Sequence, residues 1–239
     1  MPLPKISTPT YHLELPSSGK EIQYRPFLVR EEKLLVLALE SEDTKEITTA
    51  IKNVIRACIK NKDIKVEELP TFDIEYLFLN IRGKSVGEVI EVNILCPDDG
   101  ETYAKTEIAI DEIEVQRNEN HTNKIKLDDE LSMEMKYPSL DQFIKNNFDF
   151  NAENGLDQSF DLVAACIDRI YNEEEVWDSA ETTKKEMIEF LDQMNSSQFK
   201  MIEQFFETMP KLSHEVEVTN SNTKVKSKVV LEGLASFFA

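Results

Sequence analysis

No apolar run in this chain is long enough to cross a bilayer. Even the dense stretch Leu34–Leu39 is bounded by Glu31, Glu32 and Glu40, whereas a spanning helix needs about 20 mostly apolar residues. The opening Met1-Pro2-Leu3-Pro4-Lys5-Ile6 lacks the apolar core and small-residue cleavage site of a secretory signal, so the expectation is a soluble protein that stays in the cytosol where it is made. Three cysteines, Cys58, Cys96 and Cys166, cannot all pair, and Cys58 and Cys166 fall at helical spacing among apolar residues, where a thiol packs as a small hydrophobe. No disulfide framework is expected, and Cys96, in the turn Cys96-Pro97-Asp98-Asp99-Gly100, is expected to be the most reactive thiol. Basic residues are also in deficit: 27 Lys and Arg against 46 Asp and Glu leave a formal charge of −19 at pH 7. Such a surface repels a phosphate backbone, which argues against nucleic acid as a partner and leaves the acidity to serve solubility or a basic protein partner.

Recognisable reaction chemistry is missing too. His12, His121 and His214 lie far apart, and Cys96 has no second cysteine two to four residues away. Neither a tetrahedral metal set nor a Cys-His or Ser-His-Asp arrangement is expected. Gly83-Lys84-Ser85 has the ending of a phosphate-binding loop, but Phe78 stands where that loop opens on glycine, and here a helix precedes and a strand follows. Gly83 is expected instead as the left-handed residue that ends a helix. The carboxylates of Asp98-Asp99 and Asp128-Asp129-Glu130 lack calcium-loop spacing and are expected as solvated hairpin tips. The expectation is a non-enzymatic, protein-binding chain with no catalytic residue, no cofactor and no metal ligand.

What is present is a hydrophobic content of 41%, enough for a real core, and alternating helical and strand periods. A hairpin (Tyr11, Leu13, Leu15, then Ile22 and Tyr24 across Pro16–Gly19) leads into a helix from about Arg30 with Leu34, Leu35 and Ala38 as its buried stripe. Ile47, Ala50, Ile51, Val54, Ile55, Cys58 and Ile59 define one face of a second helix, and Ile74, Leu77, Phe78 and Ile81 one face of a third. Two hairpins follow, at 86–110 and 124–137, then a short helix capped by Ser139 and a polar linker at 146–155. The C-terminal third reads as helices near 157–171, 183–194 and 197–208, the middle one opened by a Thr183/Glu186 capping box, then a hairpin and an apolar tail. Residues 92–115 and 216–238 share the order strand, polar turn, strand, acidic residue, spaced apolar residues; hairpins converge on that order readily, and no repeat is assigned. The fold class is α+β, helical clusters combined with several antiparallel hairpins. An N-terminal α+β region over 1–150 and a helical region over 151–239 ending in a hairpin and apolar tail are expected.

Several stretches resemble a family of T4-like tailed-phage baseplate hub subunits: Met1-Pro2-Leu3-Pro4-Lys5-Ile6 with Pro9-Thr10-Tyr11, Tyr24-Arg25-Pro26-Phe27-Leu28-Val29, Phe72–Glu88, Met135–Leu140, and Leu231-Glu232-Gly233-Leu234 with Phe237-Phe238. The resemblance implies a role in the central hub of a contractile-tail baseplate, with other hub or tape-measure proteins as partners. It further implies assembly in the host cytoplasm and a place in the virion tail. It supplies no catalytic residue. An alternative within the same setting is a transient tape-measure assembly chaperone that is absent from the finished particle, and a distant alternative is a small-molecule or metal-dependent enzyme.

Leu231, Leu234, Phe237 and Phe238 put four large apolar residues at the end of the chain, where residues are usually polar, and they are the candidate partner-binding residues. Docking onto the chain's own core is the rival reading. Removing Phe237 and Phe238 is expected to abolish partner co-purification with little change in melting temperature; a loss of several degrees with binding retained would make the tail part of the core.

Overall fold

The computed structural model describes residues 6–142 and 155–236. In chain order the elements are strands β1 (Tyr11–Glu14) and β2 (Glu21–Tyr24); helices α1 (Val29–Glu40), α2 (Thr44–Cys58) and α3 (Thr71–Val86); and strands β3 (Val89–Leu95), β4 (Tyr103–Ala109), β5 (Glu114–Gln116), β6 (Lys124–Lys126) and β7 (Ser132–Met135). Then come helix α4 (Gly155–Cys166), strands β8 (Ile167–Tyr171) and β9 (Val176–Asp178), helices α5 (Lys184–Leu191) and α6 (Ser196–Thr208), strands β10 (Lys211–Thr219) and β11 (Lys226–Glu232), and the short helix α7 (Gly233–Ser236). The strands pair antiparallel throughout, which makes the fold α+β. The chain forms two compact units, one from 1–116 with 211–239 and one from 117–210. The boundary expected at residue 150 falls inside the second, in a stretch outside the described residues, as do most of the expected linker at 146–155, whose last residue opens α4, and most of the short helix after Ser139.

Unit one is discontinuous in sequence. Its first hairpin pairs Tyr11 with Tyr24 and Leu13 with Ile22, and buries Leu15, Ile22 and Tyr24. The face read from periodicity in α2 is the buried one, with Ala50, Val54, Ile55 and Cys58 inside, and Asp43 caps the helix by accepting from the amides of Lys45 (2.7 Å) and Glu46 (3.2 Å). Ile59, expected as the helix's last inward residue, instead leaves it and bridges Tyr24. α3 is buried nearly all round. Gly83 is not its left-handed end: the helix continues to Val86 and stops at Gly87 (φ 146°). Gly83 sits in tight packing instead: a Cβ there would stand 3.0 Å from Ile110 Cδ1, which would have to shift to admit it. Hairpin β3–β4 and the sheet β11-β10-β5 line one apolar cluster that includes Leu79, Ile90, Val92, Ile108, Leu212 and Val218.

Unit two is a four-stranded antiparallel sheet in the order β6-β7-β8-β9 with α4, α5 and α6. Its core gathers Ile125, Met133, Cys166, Ile170, Met187 and Phe205. The capping box is present: Thr183 N–H donates to Glu186 Oε2 (2.8 Å), and the Glu186 amide donates to Thr183 Oγ1 (3.3 Å). The helix expected to run to Tyr171 stops at Cys166, and residues 167–171 become β8. The reason is tertiary: β8 pairs Ile170 with Met133 and Ile167 with Met135, which supplies β7 with its second neighbour and lets two β-branched residues pack in a sheet.

Two carboxylates are buried in unit one among the described residues: Asp73 on α3, which accepts from the Ser17 amide (2.9 Å), and Glu31. Glu31, on the first turn of α1, is 3% exposed. Its carboxylate accepts from Arg25 (3.0 Å), from Arg30 Nε (2.6 Å) and from the Leu28 amide (2.7 Å). Arg25 in turn donates to the carbonyls of Pro26 (2.8 Å) and Ala57 (3.0 Å), which ties α1 to the end of α2. Burial pushes the Glu31 carboxyl up, but the hydrogen bonds from Arg25, Leu28 and Arg30 outweigh it and bring the pKa from 4.5 down to about 2. A depressed carboxyl stabilises the fold above its unfolded pKa, so this contribution is full above about pH 4.5 and is lost as pH falls toward 2. Arg25→Ala is expected to lower stability by about 3 kcal/mol at pH 7, the low end for breaking a buried pair because Arg30 and Leu28 still bond Glu31. Urea titrations of both proteins from neutral to acid pH should show that gap narrowing below pH 4.5.

Candidate interaction surface

α1 is held at both ends. The Phe27 amide donates to Ser85 Oγ on α3 (2.9 Å), and the Ser41 hydroxyl donates to the Ala38 carbonyl (2.7 Å). Its inward stripe is Glu31 and Ala38, both buried, with Leu35 half-buried between them. Around the rest of its circumference Val29 is 65%, Leu34 51%, Val36 48%, Leu37 63% and Leu39 57% exposed. Leu34, expected in the buried stripe, is turned outward. The run Leu34–Leu39 is apolar at every position, so periodicity names no face, and the Glu31–Arg25 pair decides which side faces in. Beside α2 the outward face forms an open groove of about 390 Å³, lined by Leu34, Leu37 and Ala38 opposite Glu46, Thr49 and Ala50. Covering each half-exposed aliphatic side chain is worth about 1 kcal/mol.

The tail residues named from the sequence sit elsewhere in unit one. Leu231 is 8% exposed and packs in the cluster formed by the two hairpins. α7 begins at Gly233 (φ 69°), where a Cβ would stand 3.2 Å from Glu75 Oε1, and it rests against α3, β10 and β11. The side chain of Leu234, and Phe237 and Phe238 entirely, lie outside the described residues.

The histidines are each occupied separately. His12 pairs with Glu21, and His214 Nδ1 lies 3.0 Å from the Glu112 carbonyl. His121 places Nδ1 and Nε2 each 2.9 Å from Thr208 Oγ1 and Tyr137 Oη, and its ring packs against Tyr137 and Phe205; burial lowers its pKa. Among the described residues no group of three or more His, Cys, Asp or Glu is arranged to hold a metal ion. All three thiols are buried. Burial pushes Cys58 up to about 11 and Cys166 up to about 12. Cys96, expected to be the reactive one, is only 1% exposed, because its turn closes over it through Cys96 N–H to Thr102 O (2.8 Å) and Gly100 N–H to Cys96 O (3.0 Å).

Asp98 and Asp99 are not simple solvated turn residues. They meet Asn220 at the tip of the other hairpin, which is 1% exposed and donates through Nδ2 to Asp98 (3.0 Å) and Asp99 (2.8 Å). Its Oδ1 accepts from the amides of Asn222 (2.8 Å) and Thr223 (3.1 Å), the Thr223 hydroxyl donates to Asp98, and Asn222 Nδ2 donates to Thr102 Oγ1 (2.9 Å). These donors hold both carboxyls below their ordinary range, through Thr223 then Asn220 at Asp98, and through the Thr102 hydroxyl then Asn220 at Asp99. Asn220 is the residue whose role sequence reasoning missed. Asn220→Ala is expected to destabilise the protein by about 1–3 kcal/mol. Asn220→Asp, which adds a third carboxylate in place of the donor, should destabilise it more at pH 7, and thermal melts should show the two variants converging as pH falls below about 4.

Compared with known proteins, the family model described as T4 bacteriophage base plate protein matches residues 8–239. No significant match is found among curated proteins or among solved structures. No helix among the described residues is long and apolar enough to cross a membrane. The family match spans all but the first seven residues, and the chain therefore belongs to the T4 bacteriophage base plate protein family, with a structural role in a phage baseplate.

Proposed function

We propose that the protein is a non-enzymatic subunit of the baseplate hub of a contractile tail, and that the outward face of α1 is covered by a neighbouring baseplate protein. The observation that carries this reading is the set of five large aliphatic side chains left open on α1 in a member of a baseplate family. Surface positions of this kind contribute little to the isolated fold, so their apolar character has its value in the assembled state. A second reading, a transient assembly chaperone for the tape-measure chain, draws support from the −19 charge and the open α1/α2 groove, which together suit brief capture of an apolar helix.

Mass spectrometry of purified virions against infected lysate separates the two: a hub subunit is retained in particles at fixed stoichiometry, and a chaperone is found in lysate alone. The interface itself is tested by the double substitution Leu34→Asp with Leu37→Asp. Exposed substitutions change stability by about 0.5 kcal/mol each, so the variant is expected to melt within a few degrees of the wild type yet fail to enter baseplates. Normal incorporation of the folded variant would place the interface away from α1.

A further inference from the structure

A second surface lies in unit two, at the free edge of its sheet. Among the described residues β9 pairs only with β8, and its other side is open. Its rungs to β8 run from Ser179 N–H to Asp168 O (2.8 Å) and, past the turn, from Asn172 N–H to Glu175 O (3.0 Å), with Trp177 opposite Ile170 between them. Hydrogen-bonded and non-bonded pairs alternate in an antiparallel ladder, so Val176 and Asp178 turn their amides away from β8. The Asp178 carbonyl is taken by the amides of Glu181 and Thr182 (both 3.1 Å). That leaves both backbone groups of Val176 and the amide of Asp178 facing outward.

The side chains around this edge have one character. Residues 172–182 hold Glu173, Glu174, Glu175, Asp178 and Glu181 and no base. The neighbouring bases are engaged elsewhere: Lys184 with Asp161, Lys185 with Glu189, Arg169 with Glu134, while Lys136 reaches Ser179. In the middle of the acidic run stand Val176, 61% exposed, and Trp177, 40% exposed. Trp177 walls a groove of about 490 Å³ with Ile170, Met187 and Phe190 in it and Glu181 and Glu186 also lining it.

We infer that the free edge of β9 takes an extended, basic segment of a partner protein, which adds as a fifth strand, seats one aliphatic or aromatic side chain against Trp177 and sets Lys or Arg among the carboxylates. The outward amides supply the main-chain rungs, the groove supplies the side-chain pocket, and the charge selects the partner. A second copy of this chain is disfavoured as occupant, because edges lined by like charge repel each other and the chain as a whole carries −19. The inference stands on unit two alone and is independent of α1.

The chain has one tryptophan, so its emission reports on this groove alone. The full-length protein is titrated with the peptide acetyl-Lys-Val-Lys-Leu-Lys-Val-Lys-amide and, in parallel, with its counterpart in which Glu replaces every Lys. The basic peptide is expected to shift Trp177 emission saturably, with an apparent Kd that rises at least about fivefold when salt goes from about 50 to about 500 mM, and the acidic peptide to leave emission unchanged. Val176→Pro removes an outward N–H at an edge position that tolerates proline; it is expected to preserve the far-ultraviolet circular dichroism and to weaken binding at least about tenfold. Glu174→Lys with Glu175→Lys is expected to weaken it comparably. No emission change with the basic peptide, or an equal response to the acidic one, overturns the inference. Binding that survives Val176→Pro in the folded protein overturns strand addition, since charge alone then accounts for it.

Discussion

Unit one closes only where β10 pairs with β5. Three register pairs, Lys211 with Gln116, Leu212 with Val115 and Ser213 with Glu114, join segments separated by the whole of unit two. Leu212 is fully buried and belongs to the cluster shared by Leu79, Ile90 and Val218, so the core of the first unit is incomplete until the chain has come back. The entropy of closing a long loop grows only slowly with its length, and a folded insert shortens the effective loop further. The structural demand is therefore met cheaply once unit two is compact. The Asn220 clasp to Asp98 and Asp99 then fixes the returning hairpin against the one already there.

The Glu31–Arg25 pair sets a second constraint. A buried charge is tolerated only when hydrogen-bonded, and satisfying Glu31 from Arg25, Arg30 and Leu28 fixes the rotation of α1 about its own axis. With Glu31 and Ala38 inward, the aliphatic side chains of Val29, Val36 and Leu37 have nowhere to point except out. The pair thus links the interior of unit one to the character of its surface. Replacing it with packed hydrophobes of similar volume would be tolerated by the fold, but it would free α1 to roll and bury the aliphatic face it now leaves open.

Local structure was legible where the chain is one-sided. In α2 only one face is apolar, so Ala50, Val54 and Cys58 reveal it, and the Thr183/Glu186 box needs no long-range partner. Reading failed where the pattern was degenerate or the partner distant. Leu162, Val163, Cys166, Ile167 and Ile170 fit a helix as well as they fit a helix followed by a strand, and the edge of β7 decides between them. Asn220 reads correctly as a turn residue, yet its partners lie on another hairpin. The candidate surface was the hardest part: the run Leu34–Leu39 is apolar at every position, so its sequence suggests a buried stripe on α1 and hides the outward-facing residues. Leu231 turned out to sit in the core of its own unit. Kinship was legible from residues such as Phe72–Glu88, whose α3 segment is buried almost throughout and is therefore restrained by packing rather than by chemistry.

The pairing of Gln116 with Lys211 also says something about how this chain is organised. Chain departs from unit one and re-enters it at residues that face each other across two adjacent antiparallel strands, which is the geometry a tight hairpin turn would span. Topologically, unit two occupies the position of the loop of a β-hairpin. Folded modules inserted at such a point leave the host's strand order intact. A change in the length of the inserted unit would therefore leave the pairing of β5 with β10, and the body that carries α1, unaltered.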